Sequence, residues 1–257
     1  MMETPDRQAT HFEGIAGRYF SARRSPNHLL YKDLFWKTVL ENLRPAATGT
    51  LDVLEPMCGY AEGKTIIERN YSASIRYEGF DSSPTLLEQV SKQCPGVAVF
   101  QADIRNFTPE KKYDVIILIG GLHHVYRDAA AVLSMLRGAL RDNGTFINLE
   151  PTQNCFITRT VRRRIYRSNS FFDPETERAF DLVELNRLYS LSGFAVARQV
   201  YPGLLAHVLY YNPDAFPMLN VGGPLLVKLM FCFDRLFLNN AVGKLLSFAT
   251  LSILRPA

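Results

Sequence analysis

Apolar segments with the period of a strand alternate with amphipathic segments along the middle of the chain. The segment at 115–119 is apolar at every position, as expected for a central parallel strand that is buried on both faces. The predicted strands are 51–54, 75–80, 97–100, 115–119 and 145–149. Segments of about 10–15 residues with helical periodicity separate them. Because parallel neighbours need crossover helices, this order predicts an α/β fold built of βαβ units around a mainly parallel sheet.

Capping residues predict where several of these helices begin and end. Ser83 is placed to cap the helix after the second strand, because its hydroxyl can accept from a free N–H of the first turn. A helix that starts from Asp128 is expected to stop near Gly144, a good left-handed C-terminal signal. Asp181 and Glu184 have the spacing of a capping box ahead of a further helix.

The C-terminal part departs from this alternation. Segments 194–201 and 247–254 predict two more strands. Between them, apolar residues recur at helical spacing from 225 to 237. We therefore expect a helical insert that comes just before the last strand.

Composition narrows the class of protein. The chain has 257 residues, of which 47% are hydrophobic and 21% charged, so it can bury a core as a single domain. A net charge of +4 forces no nucleic-acid partner. The four cysteines lie far apart, the N-terminus is too polar for a signal peptide, and no apolar run has the length of a membrane span. These features predict a cytoplasmic protein.

Three acidic residues follow three consecutive predicted strands. Glu55, Asp81 and Asp103 come at the strand ends, where a doubly wound sheet binds its ligands. A carboxylate at the second strand end can accept both hydroxyls of a ribose. One at the third can accept from the exocyclic amine of an adenine. A carboxylate at the first loop suits a cationic or ammonium-bearing ligand.

The loop after the first strand argues against a bound pyrophosphate. A dinucleotide calls for G-x-G-x-x-G and an uncharged helix N-terminus at this place. Here the window from Met57 has Met57, Gly59 and Glu62 at the three glycine positions of that motif, and Glu62 opens the helix. Met57 and Ala61 are the two positions of this loop where glycine is expected. A nicotinamide-dependent oxidoreductase is therefore the alternative and not the first hypothesis.

Five motifs follow one another between residues 51 and 151. They are VLEPMCGYAEG, YEGFDSSPTLLEQ, FQADIRNF, YDVIILIGGLHHV and LRDNGTFINLEP. In this order they resemble the motifs of class I S-adenosylmethionine-dependent methyltransferases, and the later LSGFAVARQVY and SFATLSILRP resemble that family's sixth and seventh strands. The resemblance implies a doubly wound, mainly parallel seven-stranded sheet whose last strand lies antiparallel between the fifth and the sixth. It also implies S-adenosylmethionine as cofactor and S-adenosylhomocysteine as product.

The resemblance assigns the cofactor site and the parts of the domain. The methionine moiety would lie at the first loop, the ribose at the second strand end and the adenine at the third. The implied residues are Tyr19, Glu55, Pro56, Met57, Gly59, Asp81, Ser82, Asp103, Ile104 and Gly120. This ligand carries no phosphate, so one close backbone approach at Gly59 suffices. The expected parts are an N-terminal helical lid (1–45), a cofactor-binding core (46–203), the helical insert (204–246) and the last strand (247–257).

Methyl transfer to a hydroxyl benefits from a general base, and histidine is the natural candidate. His123 and His124 follow the fourth strand, next to the expected donor site, and His124 is marginally preferred. His28 and His207 are reserve candidates. The sequence shows no metal-ligand cluster, so we expect metal-independent transfer by direct displacement.

The acceptor is the least defined part of the hypothesis. A basic run at 159–167 follows the fifth strand, and the insert is rich in Leu and Phe with a few cations. These features favour a hydroxyl or carbon of a small or lipid-linked molecule over a nucleic acid. They leave open a peripheral membrane contact through 218–244 at the inner face of the membrane, and a homodimer. A non-catalytic, membrane-associated protein on the same fold is a second alternative.

Overall fold

The computed structural model describes residues 17, 21–41, 49–71, 74–169, 177–213 and 215–257. Its strands are β1 (Leu51–Pro56), β2 (Ile75–Asp81), β3 (Ala98–Gln101), β4 (Tyr113–Ile119), β5 (Leu140–Pro151), β6 (Phe194–Val200) and β7 (Ala249–Pro256). They form one sheet in the order β3-β2-β1-β4-β5-β7-β6, in which β7 is antiparallel to both neighbours. The predicted seven-stranded, mainly parallel sheet is confirmed. Its strand order reverses between β1 and β4, where ligands bind in sheets of this type.

Helices cover both faces of the sheet. They are α1 (Pro26–Leu40), α2 (Glu62–Asn70), α3 (Pro84–Gln93), α4 (Ala129–Ala139), α5 (Phe156–Ser168), α6 (Leu182–Leu191), α7 (Leu205–Tyr210), α8 (Pro224–Arg235) and α9 (Ala241–Leu246). Short 3-10 turns occur at Leu122–Val125 and Pro217–Leu219. Within the described residues, none of the helices combines the length and the apolar character needed to cross a bilayer.

Side chains of β4 alternate between two cores, as the sequence predicts for a central strand. Val115 and Ile117 pack on the face covered by α1, α2 and α8. Ile116 and Leu118 pack on the face covered by α4 and α6. Each of these side chains is at most 1% exposed, and burying one stabilises the fold by about 1.5–3 kcal/mol.

The helix after β4 ends earlier than the sequence predicts. Leu140 is extended, with φ −85° and ψ 139°, so α4 stops one residue before it and β5 begins there. Gly144 lies inside β5 and is absent from the described residues with positive φ. Arg141 helps to fix this segment along the sheet, because its Nη2 donates to Oδ2 of Asp52 at 2.9 Å. Tertiary pairing thus overrides a good local C-cap signal.

One predicted cap forms and another does not. Ser83 accepts a hydrogen bond from the first turn of α3, as expected. Asp181 precedes α6 but makes no capping hydrogen bond, because its carboxylate accepts from Nη2 of Arg159 at 2.9 Å. Glu184 is likewise paired with Arg178. Charged guanidinium groups therefore take the two carboxylates that the capping box needs.

The described part of the N-terminal region is built into the core. Tyr31 and Trp36 of α1, which we expected in a lid, are 1% and 2% exposed and belong to the core cluster on that face. Lys32 of α1 forms an ion pair with Glu62 at the start of α2, which ties α1 to the loop after β1. Tyr19 and about half of the predicted lid (1–16, 18–20 and 42–45) lie outside the described residues.

Candidate active site

The loop after β1 has the backbone of a glycine loop. Met57, Gly59 and Ala61 all have left-handed conformations, with φ of 50°, 50° and 57°. This conformation costs a residue with a side chain about 1–2 kcal/mol. Met57 and Ala61 are the two positions where the sequence leads us to expect glycine. Backbone strain of this kind is typical of binding and active sites, where the position of the backbone matters for function.

Asp81 connects the end of β2 to this loop. Its Oδ2 accepts from the backbone N–H of Gly59 at 2.9 Å, and its Oδ1 accepts from the N–H of Ser83 at 3.0 Å. Burial raises the pKa of the Asp81 carboxyl, and these backbone hydrogen bonds only partly offset it. Backbone N–H groups therefore hold the carboxylate in place. None of the interactions that shift its pKa comes from a cationic side chain.

Glu55 is turned inward beneath the loop. It is 2% exposed, its Oε1 accepts from the N–H of Gly63 at 2.8 Å, and its Oε2 accepts from the hydroxyl of Tyr77. Burial raises the pKa of Glu55 to about 8, although the hydrogen bonds from Tyr77 and Gly63 favour its charged form. This side chain supports the first turn of α2 and also borders the cavity described below.

The close packing of Gly63 on Glu55 gives a first testable prediction. A Cβ at Gly63 would lie 2.7 Å from Cδ of Glu55 and 2.7 Å from Cγ2 of Ile117. Gly63→Ala is therefore expected to lower the free energy of unfolding by about 1–3 kcal/mol, measured by urea denaturation. The control is Gly59→Ala, where a Cβ meets nothing within 4 Å and only the positive φ costs stability, by about 1–2 kcal/mol. Equal losses in the two variants would contradict the packing argument.

The third strand end differs from the simplest expectation. Asp103 binds the guanidinium of Arg105 at two points, Nε to Oδ1 at 3.0 Å and Nη2 to Oδ2 at 2.6 Å. Burial opposes the charged form of Asp103, but the hydrogen bonds from Arg105 outweigh it and lower the pKa. Ile104 is 3% exposed and lies in the core, while Ser82 contributes its carbonyl to a hydrogen bond from Gln101.

A cavity of about 310 Å³ opens at the carboxyl ends of β1 and β4. It brings together six of the predicted site residues, namely Glu55, Met57, Gly59, Gly120, His123 and His124. The other predicted residues described by the structure do not line it; they lie at or just after the ends of β1, β2 and β3, namely Pro56, Asp81, Ser82, Asp103 and Ile104. The loop after β1 and the two histidines thus share one chamber.

His123 is held between two buried glutamates. Its Nδ1 lies 2.9 Å from Oε2 of Glu150, and its Nε2 lies 3.7 Å from Oε2 of Glu177. Glu150 is fully buried in β5 and also accepts from the backbone N–H of Leu122 at 2.9 Å. Burial alone would lower the pKa of His123. Its hydrogen bonds with the two glutamates, together with their negative charges, outweigh burial and raise the pKa to about 9.

Sequence reasoning missed both glutamates. Glu150 lies inside the motif LRDNGTFINLEP, and a carboxylate at the end of the predicted fifth strand was the available signal. Glu177 has no such signal, because it lies 53 residues from His124 in sequence and only the fold brings it near. Together His123, His124 and Glu177 form a group whose ligand atoms lie within 4.8 Å of one another, close enough to hold a metal ion.

The reserve histidines are buried and hydrogen-bonded within the fold. Nδ1 of His28 donates to the carbonyl oxygen of Tyr210 at 2.9 Å, and Nδ1 of His207 lies 3.2 Å from the hydroxyl of Tyr31. Burial lowers the pKa of each to about 3. His207 borders the cavity, but a histidine this weakly basic is a poor proton acceptor near neutral pH.

Comparison with known proteins finds methyltransferases. Residues 53–144 match the family described as "Methyltransferase domain". A trans-aconitate 2-methyltransferase of Enterobacter sp. (strain 638) is 31% identical over 112 residues, which are 40% of this chain and 44% of that protein. The chain thus matches less than half the length of that relative.

Two solved structures share the fold along nearly the whole chain. The cyclopropane synthase MmaA2 from Mycobacterium tuberculosis has a TM-score of 0.66 at 13% identity and covers 99% of both chains. The DhpI-SAM-HEP complex has a TM-score of 0.58 at 16% identity and covers 97% of this chain and 96% of that one. Identities this low establish the fold alone. Residues 53–144 therefore match a methyltransferase domain, and the whole chain shares its fold with these two solved structures.

Proposed function

We propose that the protein transfers a methyl group from S-adenosylmethionine to a hydroxyl (or carbon) of a small or lipid-like molecule. One observation carries the proposal: a single cavity is bordered by the loop after β1 and by the buried His123–Glu150 pair. The loop after β1 is the expected site of the methyl donor, and His123, in its neutral form, is the proton acceptor of the pair. When bound, the cofactor supplies a methyl group already activated by the positive charge of its sulfur.

Asp81 suits the ribose end of this cofactor. Each of its two carboxylate oxygens accepts one backbone N–H, which leaves each oxygen a lone pair for a ribose hydroxyl. Two hydroxyl donors would also stabilise a charge whose pKa burial has raised. Ser82 beside it, Asp103 with Ile104 at the next strand end, and Pro56 with Met57 in the loop complete the proposed contacts. Asp103 would have to accept a hydrogen bond from the adenine amine while it keeps its ion pair with Arg105.

His123 suits the role of general base better than His124. A neutral His123 donates Nδ1–H to Glu150, which leaves Nε2 as the acceptor on the side of Glu177. The proton of an acceptor hydroxyl would pass to this Nε2. The imidazolium formed there lies between two carboxylates, so they stabilise its charge. This orientation reverses the marginal preference for His124.

The side of the cavity formed by α5, α7 and the connection to α8 suits an apolar acceptor. Its wall there includes Val161, Ile165, Val208, Phe216 and Leu219. Such a wall accommodates the hydrocarbon part of a lipid-like molecule by excluding water. We therefore place the acceptor's reactive group at the histidines and its apolar part towards α5 and α7.

Donor binding tests the proposal against its alternatives. Calorimetric titration is expected to show micromolar or tighter binding of S-adenosylhomocysteine and no binding of NAD(H). Tight NAD(H) binding alone would establish the oxidoreductase reading, and no binding of either would favour the non-catalytic one. Incubation with methyl-labelled S-adenosylmethionine and a lipid extract, followed by mass spectrometry of the labelled product, would then identify the acceptor.

We also propose that transfer needs no metal ion. In its resting, protonated form, His123 itself places a positive charge between Glu150 and Glu177, so the group of His123, His124 and Glu177 does not require a metal cation. Prolonged dialysis against EDTA is expected to leave methyl transfer unchanged within a factor of about two, far less than the loss of a catalytic metal causes. Loss of transfer that Mg²⁺, Mn²⁺ or Zn²⁺ restores would show that this group is a metal centre.

A further inference from the structure

Helix α8 carries two apolar stripes on opposite sides. Val227 and Phe231 are buried on the side that packs against α1 and α7. Leu225 and Leu229 of α8, and Leu236 directly after its last residue, are 72%, 54% and 68% exposed. At about 3.6 residues per turn these three positions lie diametrically across the helix from the buried pair. A surface helix of a globular protein normally has one apolar stripe, so the second needs an explanation.

The exposed stripe belongs to a larger apolar surface around the cavity mouth. Of the 18 large apolar side chains exposed among the described residues, 13 lie in α5 or within 205–245. We call these 13 side chains the apolar mouth surface. Phe156 and Met218 are 79% and 88% exposed, whereas Val161 and Val208 are about 40% exposed and also line the cavity. The surface therefore reaches into the cavity.

Hydrogen bonds hold α5 against the insert at both ends. Nδ2 of Asn154, just before α5, donates to the carbonyl oxygen of Lys244 at 2.7 Å. Nδ2 of Asn169, just after α5, donates to the carbonyl oxygen of Ala215 at 2.8 Å. α5 and the 205–245 segment are therefore held next to each other, so their exposed apolar side chains lie on adjoining elements.

The charges on this face are cationic. Arg163, Arg164 and Arg167 of α5 and Lys228 and Arg235 of α8 are exposed. In the described part of α5 and of 205–246, the acidic residue is Asp234, and it is 3% exposed with its carboxylate on the backbone N–H groups that open α7. An apolar face flanked by cations, with no exposed acid among these residues, matches the composition of a segment that lies in a membrane interface.

We propose that the apolar mouth surface docks on a bilayer that contains anionic phospholipids. The apolar side chains enter the boundary between headgroups and acyl chains, and the flanking Arg and Lys side chains pair with phosphates. The cavity mouth then faces the bilayer, and, on the function proposed above, a lipid-linked acceptor enters from it. A second copy of the chain fits this face less well, because a symmetric contact would bring the same cations together.

Vesicle flotation of the full chain tests this surface without any methyl donor. We expect binding to vesicles of phosphatidylcholine mixed with phosphatidylglycerol, and little binding to phosphatidylcholine alone. Leu225→Ser with Leu229→Ser should lower the partition coefficient about tenfold or more, because two apolar side chains no longer enter the interface. Arg163→Gln with Arg164→Gln should remove most of the preference for the anionic lipid.

The matched control is Val183→Ser with Leu191→Ser on α6. These side chains are 82% and 72% exposed but lie outside the apolar mouth surface, so the variant should float like the unchanged chain. Equal vesicle binding by all variants, or none by the unchanged chain, would overturn the proposal. So would a stable dimer in analytical ultracentrifugation that the Leu225 and Leu229 variant converts to monomers. Calorimetry with S-adenosylhomocysteine on the same samples shows separately whether the methyltransferase proposal fails.

Discussion

Asp81→Asn is expected to weaken the binding of S-adenosylhomocysteine by about 100-fold, the loss of two hydrogen bonds to a charged group. The carboxylate now accepts from the N–H groups of Gly59 and Ser83, one at each oxygen. An amide must turn its NH₂ group towards one of these donors, so it loses that contact and one of the two acceptors for the ribose. Isothermal titration calorimetry measures the change in Kd directly.

Two controls make this result specific to the cofactor. Asp142→Asn removes a charge from a side chain that is 99% exposed and should leave Kd unchanged. Urea denaturation of Asp81→Asn shows whether the loop after β1 still folds, since the same substitution disturbs Gly59. The contradicting result is a stable variant whose Kd for S-adenosylhomocysteine lies within about threefold of that of the unchanged chain. Such a change is well under the 1.4 kcal/mol of a tenfold difference, and it would mean that Asp81 does not hold the ribose.

The strand pattern and the loop after β1 could be predicted from sequence because each rests on local physics. Buried parallel strands need apolar residues at successive positions, and 115–119 shows them. The positions where glycine is expected, Met57 and Ala61, do adopt positive φ. The local backbone requirement therefore survives the change of residue type, and the motif remains readable.

The surroundings of His123 could not be predicted in the same way. Glu150 comes from β5 and Glu177 from beyond α5, so their approach to His123 depends on how three distant segments pack. For the same reason the end of α4 was misplaced: the pairing of Leu140 with Tyr113 across β4 and β5 outweighs a local signal at Gly144. Sequence reports local preference, whereas these features are set by contacts between distant segments.

His123→Ala is expected to lower kcat by about 100- to 10,000-fold with the acceptor identified by labelling, the usual contribution of a general base. Only neutral His123 can accept the proton. Because its two glutamates raise its pKa to about 9, kcat/KM should rise with pH and level off only above about pH 9. The same raised pKa stabilises the fold below pH 6.5, and this contribution is lost as pH rises through about 9. NMR titration of the His123 ring measures that pKa without an acceptor.

Glu150→Gln separates a positioning role of Glu150 from a merely structural one. A neutral amide removes the strongest interaction that raises the pKa of His123, so both the NMR titration and the rising limb of kcat/KM should move to lower pH. The plateau should fall as well, because the amide no longer fixes which ring nitrogen carries the proton. His124→Ala is the matched control: its limb should stay near pH 9, since Glu150 and Glu177 still flank His123. If the rising limb of kcat/KM shifts in His124→Ala and stays unchanged in Glu150→Gln, His124 and not His123 accepts the proton.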